Sequence, residues 1–307
     1  GEDENMLKAA IEFGRNKLGI PILIGSENRV KEQLKKIGLD ENYKIEIINS
    51  TDKKKREKYV KHLYKKLQRE GQLERDVDRL VRNDRIAWGS SMIACKDADA
   101  MVTGNIRHYA ASIEKLKKVV DARPGEEIFG MTMIVSKGKT ILVADTNVTE
   151  LPSSERLINI SKSCVRIARL FGFEPKVAFL SHSTFGKPLS RNTRHVRDAI
   201  EKLKKEKVDF DFDGEMQPDV ALNPTYKEIY PFSKIVGNAN VLIMPALHSA
   251  AISTKLMKVF GGGKNIGPLL IGLGQPIEVA PLRASTSEIL NLASIAAYSS
   301  DVIDYSN

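Results

Sequence analysis

The chain has 307 residues, 42% hydrophobic and 28% charged, with 48 basic against 39 acidic side chains and a net charge of +9. Such a length points to one large or two medium globular domains. No apolar run approaches the roughly 20 residues of a membrane span, and the opening GEDENMLKAA is acidic where a secretory signal is basic and then apolar, so a cytoplasmic protein with no membrane partner is expected.

The two cysteines, Cys95 and Cys164, each sit in an apolar pattern, which argues for buried thiols in a reducing compartment. The lysines concentrate in runs such as Lys53 to Arg56 and Lys202 to Lys207 on patterns that read as solvated helix faces. No zinc-finger, homeodomain or aromatic RNA-binding signature accompanies them, so nucleic acid is not an expected partner. A modest positive field equally suits an anionic ligand.

Strand and helix alternate from the start. Met6 to Lys17 is amphipathic, Pro21 to Ile24 is a short strand, Val30 to Ile37 is helical and Tyr43 to Ile48 is a second strand, the opening of a parallel helix-flanked sheet. Lys53 to Arg82 is a long charged helical region interrupted near Gly71, with Tyr59, Leu63, Leu67, Leu73, Val77, Leu80 and Val81 as its inward stripe. Arg85 to Cys95 is a helix, and ADAMVTG, residues 98 to 104, is a strand closed by a glycine turn.

That turn carries Asn105, Arg107, His108 and Tyr109 before a helix to Val120. Arg107 offers a bidentate fork for a phosphate or, equally ordinary, a surface cap. His108 lacks Cys, His or carboxylate partners at ligand spacing, the pattern of a structural histidine. After Arg123-Pro124-Gly125 the chain changes character. Ile128 to Val135 and Thr140 to Ala144 read as a hairpin around Ser136 to Lys139, and a helix that starts with Ser capping chemistry at Pro152-Ser153-Ser154-Glu155 runs to Phe171.

Val177 to Leu180 is a buried strand ending in SHSTFGK. Strand ends in α/β sheets face ligands, so Ser181, Ser183 and Thr184, with Gly186 and the following helix, suit an anion. An ordinary strand-to-helix turn with Ser and Thr caps fits as well, and no Gly-Lys-Ser/Thr phosphate loop is present. Val196 to Lys207 is a helix. In DFDFDGEMQPDVAL, residues 209 to 222, phenylalanines alternate with aspartates as in a half-buried strand closing at the sheet's edge. These carboxylates fit no calcium loop, and a hydrogen-bonding acidic turn is the better reading than a metal site. Asn238 to Pro245 is a strand, Ile252 to Phe260 a helix, and the glycines of 261 to 267 lead into a strand from Leu269 to Gly274.

The order ADAMVTG, RPG (123–125), ADTNV (144–148), LSHSTFG (180–186), DGEMQPDVAL (213–222), NANVLIMP (238–245) and GPLLIGLGQP (267–276) resembles the phosphate acetyl/butyryl transferase family over nearly the whole chain. LSHSTFG and DGEMQPDVAL are nearest to the C-terminal phosphotransacetylase-like domain of bacterial NADP-dependent malic enzymes, and a start at Gly1 suits an excised domain. The resemblance implies an α/β fold of two three-layer α/β/α domains with a cleft between them, of the phosphotransacetylase and isocitrate/isopropylmalate dehydrogenase type. Residues 1–125 plus 271–307 would form the first and 126–270 the second. It further implies a homodimer or higher homo-oligomer, N-terminal malic enzyme domains as partners, and acetyl-CoA as ligand of a cleft lined by Arg107, His108, Tyr109, Ser181, Ser183, Thr184 and Arg283. NADP and a divalent metal would belong only to the malic part. No G-x-G-x-x-G follows a strand here.

The departures bear on activity. Active transferases of the family carry Asp-Leu-Ser-Arg-Gly after the last glycine-rich strand and an aspartate several residues on. The matching segment here is Val279 to Arg283, with Glu288 at the aspartate's place. Pro281 has no hydroxyl, Leu282 cannot fork a phosphate, and Arg283 substitutes only if the register slips by one. Arg107-His108-Tyr109 replaces a Ser-Thr turn, and Glu114 stands where an arginine is expected, a repulsion against phosphate of roughly 1 kcal/mol even when well screened. The expected function is therefore a regulatory and oligomerising module that binds acetyl-CoA without acyl transfer. The alternatives are an active phosphate acetyltransferase, making acetyl phosphate and CoA from acetyl-CoA and phosphate, and a purely structural dimerisation domain.

Overall fold

The structure, a computed structural model, describes residues 2–38, 45–189, 191–303 and 305. Gly1, Tyr43 and Lys44 of the expected second strand, and Ser190 lie outside the described residues. The chain divides into two compact units, Gly1–Pro124 with Leu273–Asn307, and Gly125–Gly272.

In the first unit, helix α1 (Glu4–Arg15) starts where the Asp3 carboxylate accepts the Met6 N–H at 3.0 Å. Strand β1 (Ile22–Ile24), helix α2 (Glu27–Lys36) and strand β2 (Glu46–Ile48) follow, with β1 and β2 parallel. Helices α3 (Lys53–Leu67), α4 (Glu74–Asn83) and α5 (Arg85–Ala94) pack around Tyr59 and Trp88, whose rings meet edge to face at 5.0 Å. Tyr59, Leu63, Leu67, Val77 and Val81 are buried as the helical period requires. Leu73 is a correction: it is 51% exposed. The break at Gly71 makes it the residue before α4, so it never joins the stripe. Strand β3 (Met101–Gly104) and helix α6 (Tyr109–Val119) complete this segment.

The second unit opens with the hairpin of β4 (Phe129–Ser136) and β5 (Lys139–Ala144). Its turn residues Lys137 and Gly138 both have positive φ, 50° and 73°, which matches the twist of antiparallel strands. Helix α7 (Ser154–Leu170) is capped by Ser153 and buries Cys164 and Ile167. Strand β6 (Lys176–Leu180), helix α8 (Arg194–Lys205), strand β7 (Asp211–Met216), the short α9 (Pro218–Leu222), strand β8 (Val241–Ile243), helix α10 (Leu247–Phe260) and strand β9 (Lys264–Ile271) follow. The six strands form one sheet in the order β7-β6-β8-β5-β4-β9, in which β4 runs antiparallel to both its neighbours.

Val177 to Leu180 on β6 are all buried, because an inner strand of a parallel sheet is covered on both faces. Strand β9 begins earlier than its apolar run: the ladder with β4 extends from Val135–Lys264 to Phe129–Ile271. It tolerates Pro268 through a register shift between Met131 and Met133.

The chain then returns to the first unit as β10 (Ile277–Ala280) and α11 (Thr286–Val302). Strand β10 lies parallel to β3 with Ala280 opposite Gly104. Cys164 is buried, Cys95 only half-buried, and both are free; burial pushes each thiol up from its ordinary value.

The end of β5 rests on one carboxylate. Asp145, 4% exposed, accepts the N–H groups of Gly130, Asn147 and Val148 through Oδ1 at 2.9, 2.9 and 3.0 Å and that of Thr149 through Oδ2 at 2.7 Å. Removing it orphans four backbone donors. Asp145→Ala is expected to lower stability by at least about 3 kcal/mol in urea unfolding, and a loss under about 1 kcal/mol would contradict this account.

Candidate functional site

Polar residues gather at strand ends in each unit, and their partners differ. In the first unit, β3 and β10 run parallel and end together. Gly104 has φ +105°, and a Cβ there would lie 2.3 Å from the Ala280 carbonyl oxygen, so only glycine lets the strands approach. The Asn105 N–H donates to Ala280 O at 3.2 Å, and the Asn105 carbonyl accepts the Arg283 N–H at 2.9 Å. The loop bearing Arg107 and the loop bearing Arg283 are thereby tied to one residue.

Arg107 is exposed and approaches the Asp84 Oδ2 at 3.6 Å. Asp84 is 7% exposed, caps α5 by accepting the Ile86 N–H at 2.9 Å, and makes its tightest pair with Lys115 of α6. Burial pushes its carboxyl up, but Lys115, the Ile86 amide and Arg107 together hold it below the ordinary value. His108 is exposed at the N-cap of α6 and makes no side-chain cap bond there, and Tyr109 is the helix's half-buried first residue. The exposed Arg283 has φ +59° and forms no ion pair among the described residues.

Glu288 has a local role. Ser285 caps α11 by accepting the Glu288 N–H at 3.3 Å, and the Glu288 carboxylate accepts the Ser285 N–H at 2.9 Å, a reciprocal capping box. Glu114 is exposed and pairs with Lys118 one turn on at 3.1 Å.

In the second unit the Ser-rich turn behaves differently from an anion cradle. Ser183 is fully buried and its hydroxyl donates to Glu215 Oε1 at 3.0 Å; Ser181, 5% exposed, sits 3.1 Å from Ser183 Oγ. The same Glu215 oxygen accepts the Gly186 N–H at 2.9 Å and lies 3.6 Å from Arg197 Nη1. Thr184 Oγ1 accepts the Gln217 N–H at 3.2 Å. The expectation that Ser181 and Ser183 offer their hydroxyls to a ligand is corrected to this extent: the Ser183 hydroxyl faces a buried carboxylate, the opposite of a phosphate partner, and the Ser181 hydroxyl is engaged with Ser183. Glu215 anchors the turn, in keeping with the hydrogen-bonding acidic turn expected of this stretch, although its partners Ser183 and Gly186 were not visible in the sequence.

Among the described residues, no group of three or more His, Cys, Asp or Glu is placed to hold a metal, and no helix is long and apolar enough to cross a membrane.

Because Asp84 is held below its ordinary value of 3.8, it contributes stability above that value that is lost as pH falls through its folded-state value. Asp84→Asn, which keeps a capping side chain, is expected to flatten the acid limb of the stability–pH curve below pH 3.8. An acid limb identical in variant and wild type would remove Asp84 from that role.

The model of the phosphate acetyl/butaryl transferase family matches residues 1–297. The NADP-dependent malic enzyme of Rhizobium meliloti is 42% identical over 97% of this chain and 39% of its own length. The phosphate acetyltransferase of Clostridium acetobutylicum is 30% identical over 96% of this chain and 91% of its own. The chain thus spans about two fifths of the malic enzymes it resembles. Among solved structures, the EutD phosphotransacetylase of Staphylococcus aureus superposes with a TM-score of 0.84 at 28% identity, covering 97% of this chain and 92% of that one. With this α/β fold and a match over nearly its full length, the chain belongs to the phosphate acetyl/butaryl transferase family, and it is similar to the phosphotransacetylase-like part of NADP-dependent malic enzymes.

Proposed function

We propose that this chain is the regulatory and oligomerising part of a cytoplasmic NADP-dependent malic enzyme and that it binds acetyl-CoA without transferring the acyl group. The observation that carries the reading is the state of the β10–α11 segment. Pro281 offers no hydroxyl, and Glu288, at the place of the family's aspartate, is engaged in the capping box of α11. A carboxylate so engaged is poorly placed to take a thiol proton. The cations suit an anionic ligand nonetheless: Arg107 and Arg283 stand at neighbouring strand ends, with His108 and Tyr109 opening α6. In the second unit, Thr184 lies at the turn that Ser181, Ser183 and Glu215 hold together.

NADP, the divalent metal and the oxidation of malate would belong to N-terminal malic domains beyond the residues matched here. The malic relatives, each matched over about two fifths of its length, support that placement. A working phosphate acetyltransferase is the second reading, favoured by the Clostridium acetobutylicum relative matched over 91% of its length. A structural dimerisation domain would need neither activity.

Oligomerisation has its own support in α10. This 14-residue helix buries only Ala250 and Thr254, while Ile252, Leu256, Val259 and Phe260 are 59, 52, 73 and 82% exposed. Their spacing places them along one stripe, and such a stripe meets its own copy across a two-fold axis. A second copy of the chain is the proposed occupant.

Two measurements test these readings. Calorimetric titration with acetyl-CoA, paired with a thiol-release assay in phosphate, is expected to show binding and no release. Steady release would overturn the sensor in favour of the transferase, and silence in both assays would leave the structural domain. In sedimentation equilibrium the chain is expected to run as a dimer or larger and Leu256→Glu with Phe260→Glu as a monomer; unchanged assembly of the variant would exclude α10 as the interface.

A further inference from the structure

We infer that Asn105 is a positioning residue that makes Arg107 and Arg283 one binding site for a diphosphate group. The inference rests on the proposed anionic ligand and names the part of it that this site takes.

The two arginines lie 176 positions apart in sequence, yet the paired ends of β3 and β10 bring their loops together. Gly104 pairs with Ala280 in the parallel ladder, Arg107 is the third residue after Gly104, and Arg283 is the third after Ala280. The contact continues past the strands, where the Asn105 carbonyl accepts the Arg283 N–H at 2.9 Å and so holds the Arg283 loop against the loop that carries Arg107.

Asn105 sits between the loops and is 4% exposed. Its backbone is left-handed, φ +65°, a conformation that asparagine adopts more readily than other non-glycine residues. Its N–H bonds the end of β10, its carbonyl holds the Arg283 N–H, and its side-chain Nδ2 donates to the Asp3 carboxylate at 2.6 Å, which caps α1. Two segments distant in sequence, the one from Ala280 to Arg283 and the one at Asp3, converge on this one residue. Its Oδ1 is buried with no hydrogen-bond partner, so the side chain is not placed there for its own satisfaction.

The charge balance favours a polyanion. Asp84 takes Lys115 as its tight partner and Arg107 at the looser 3.6 Å, and Arg283 has no acidic partner among the described residues. The Asp84 and Asp3 carboxylates against Lys115, Arg107 and Arg283 leave one net positive charge, with the Arg283 guanidinium unpaired among the described residues. Each guanidinium can grip one phosphoryl group in bidentate fashion. The first group would sit by Arg107 at the start of α6, where no side chain caps the helix. The second would sit by Arg283, because the start of α11 is already closed by Ser285 and Glu288. Two forks on adjacent loops suit two linked phosphoryl groups, the chemistry of a nucleotide diphosphate.

Inorganic pyrophosphate is the probe, titrated into wild type, Arg107→Ala, Arg283→Ala, the double variant and Asn105→Ala, with orthophosphate and acetyl-CoA in parallel. Pyrophosphate is expected to bind more tightly than orthophosphate, and each arginine variant to lose about tenfold or more. The double variant should lose less than the product of the single losses, because both side chains grip one ligand. Asn105→Ala should abolish the advantage of pyrophosphate over orthophosphate while weak orthophosphate binding persists. Absent pyrophosphate binding, or binding indifferent to both arginines, overturns the site, whatever acetyl-CoA does. Multiplicative losses overturn the shared ligand. Should Asn105→Ala fail to fold, Asn105→Gly keeps the left-handed backbone and loses only the Asp3 bond; unchanged pyrophosphate preference in every folded Asn105 variant overturns the positioning role. Pyrophosphate binding with silence toward acetyl-CoA would keep this site and remove the acetyl-CoA reading.

Discussion

The parallel pairing of Met101–Gly104 with Ile277–Ala280 is the contact on which the first unit depends. Parallel neighbours need a crossover, and here the crossover includes the entire second unit. The entropy of closing so long a connection grows only logarithmically with its length, so an inserted domain costs little more than an ordinary loop. What the closure demands is local fit. Gly104 must lack a side chain beneath the Ala280 carbonyl, and Asn105 must turn left-handed to bond both loops. The chain's two ends then meet, with Asn5 Nδ2 of α1 donating to the Ala284 carbonyl just before α11 at 3.0 Å.

A second regularity concerns acids. Asp84, Asp145 and Glu215 are each less than a tenth exposed, and each is surrounded by donors: a cap and two cations, four backbone amides, and a serine with a glycine amide and an arginine nearby. A buried carboxylate persists only with such company. These groups are occupied in holding turns. Arg107 gives Asp84 only the looser of its two cation contacts, at 3.6 Å, and Arg283 forms no ion pair among the described residues, so these exposed guanidiniums are the least committed to the framework.

The alternation of strand and helix was legible because buried parallel strands are short apolar runs and the helices carry a regular 3.6-residue stripe. Tyr59, Leu63, Val77 and Val81 show that pattern directly. Leu73 does not, since a helix break shifts the phase of everything near it, and a single glycine in the sequence does not say by how much. The early start of β9 was hidden for another reason: Gly267 and Pro268 read as loop residues, and only the bulge opposite Met131 shows how a ladder absorbs them. At the site, residue types were visible and partners were not. Ser183 looks the same whether it faces a phosphate or Glu215, 32 positions away, and the nearness of the loops of Arg107 and Arg283 exists only through the pairing of β3 with β10.

Binding and catalysis make different demands on these positions. Rate acceleration needs groups whose interactions strengthen in the transition state, such as a base that takes the thiol proton and donors aimed at the charge that develops on the acyl oxygen. Recognition of an anion needs only fixed cations and a backbone that holds them in place. Pro281 lacks a hydroxyl donor and the α11 cap engages Glu288, while Leu282 and Glu114 stand where the family resemblance leads one to expect arginines. Arg283, held by its own N–H against Asn105, brings a cation to that loop. Losing a hydroxyl donor and engaging a carboxylate weighs on transfer chemistry first, and under the proposed reading Arg107 and Arg283 would supply the remaining attraction for an anionic ligand.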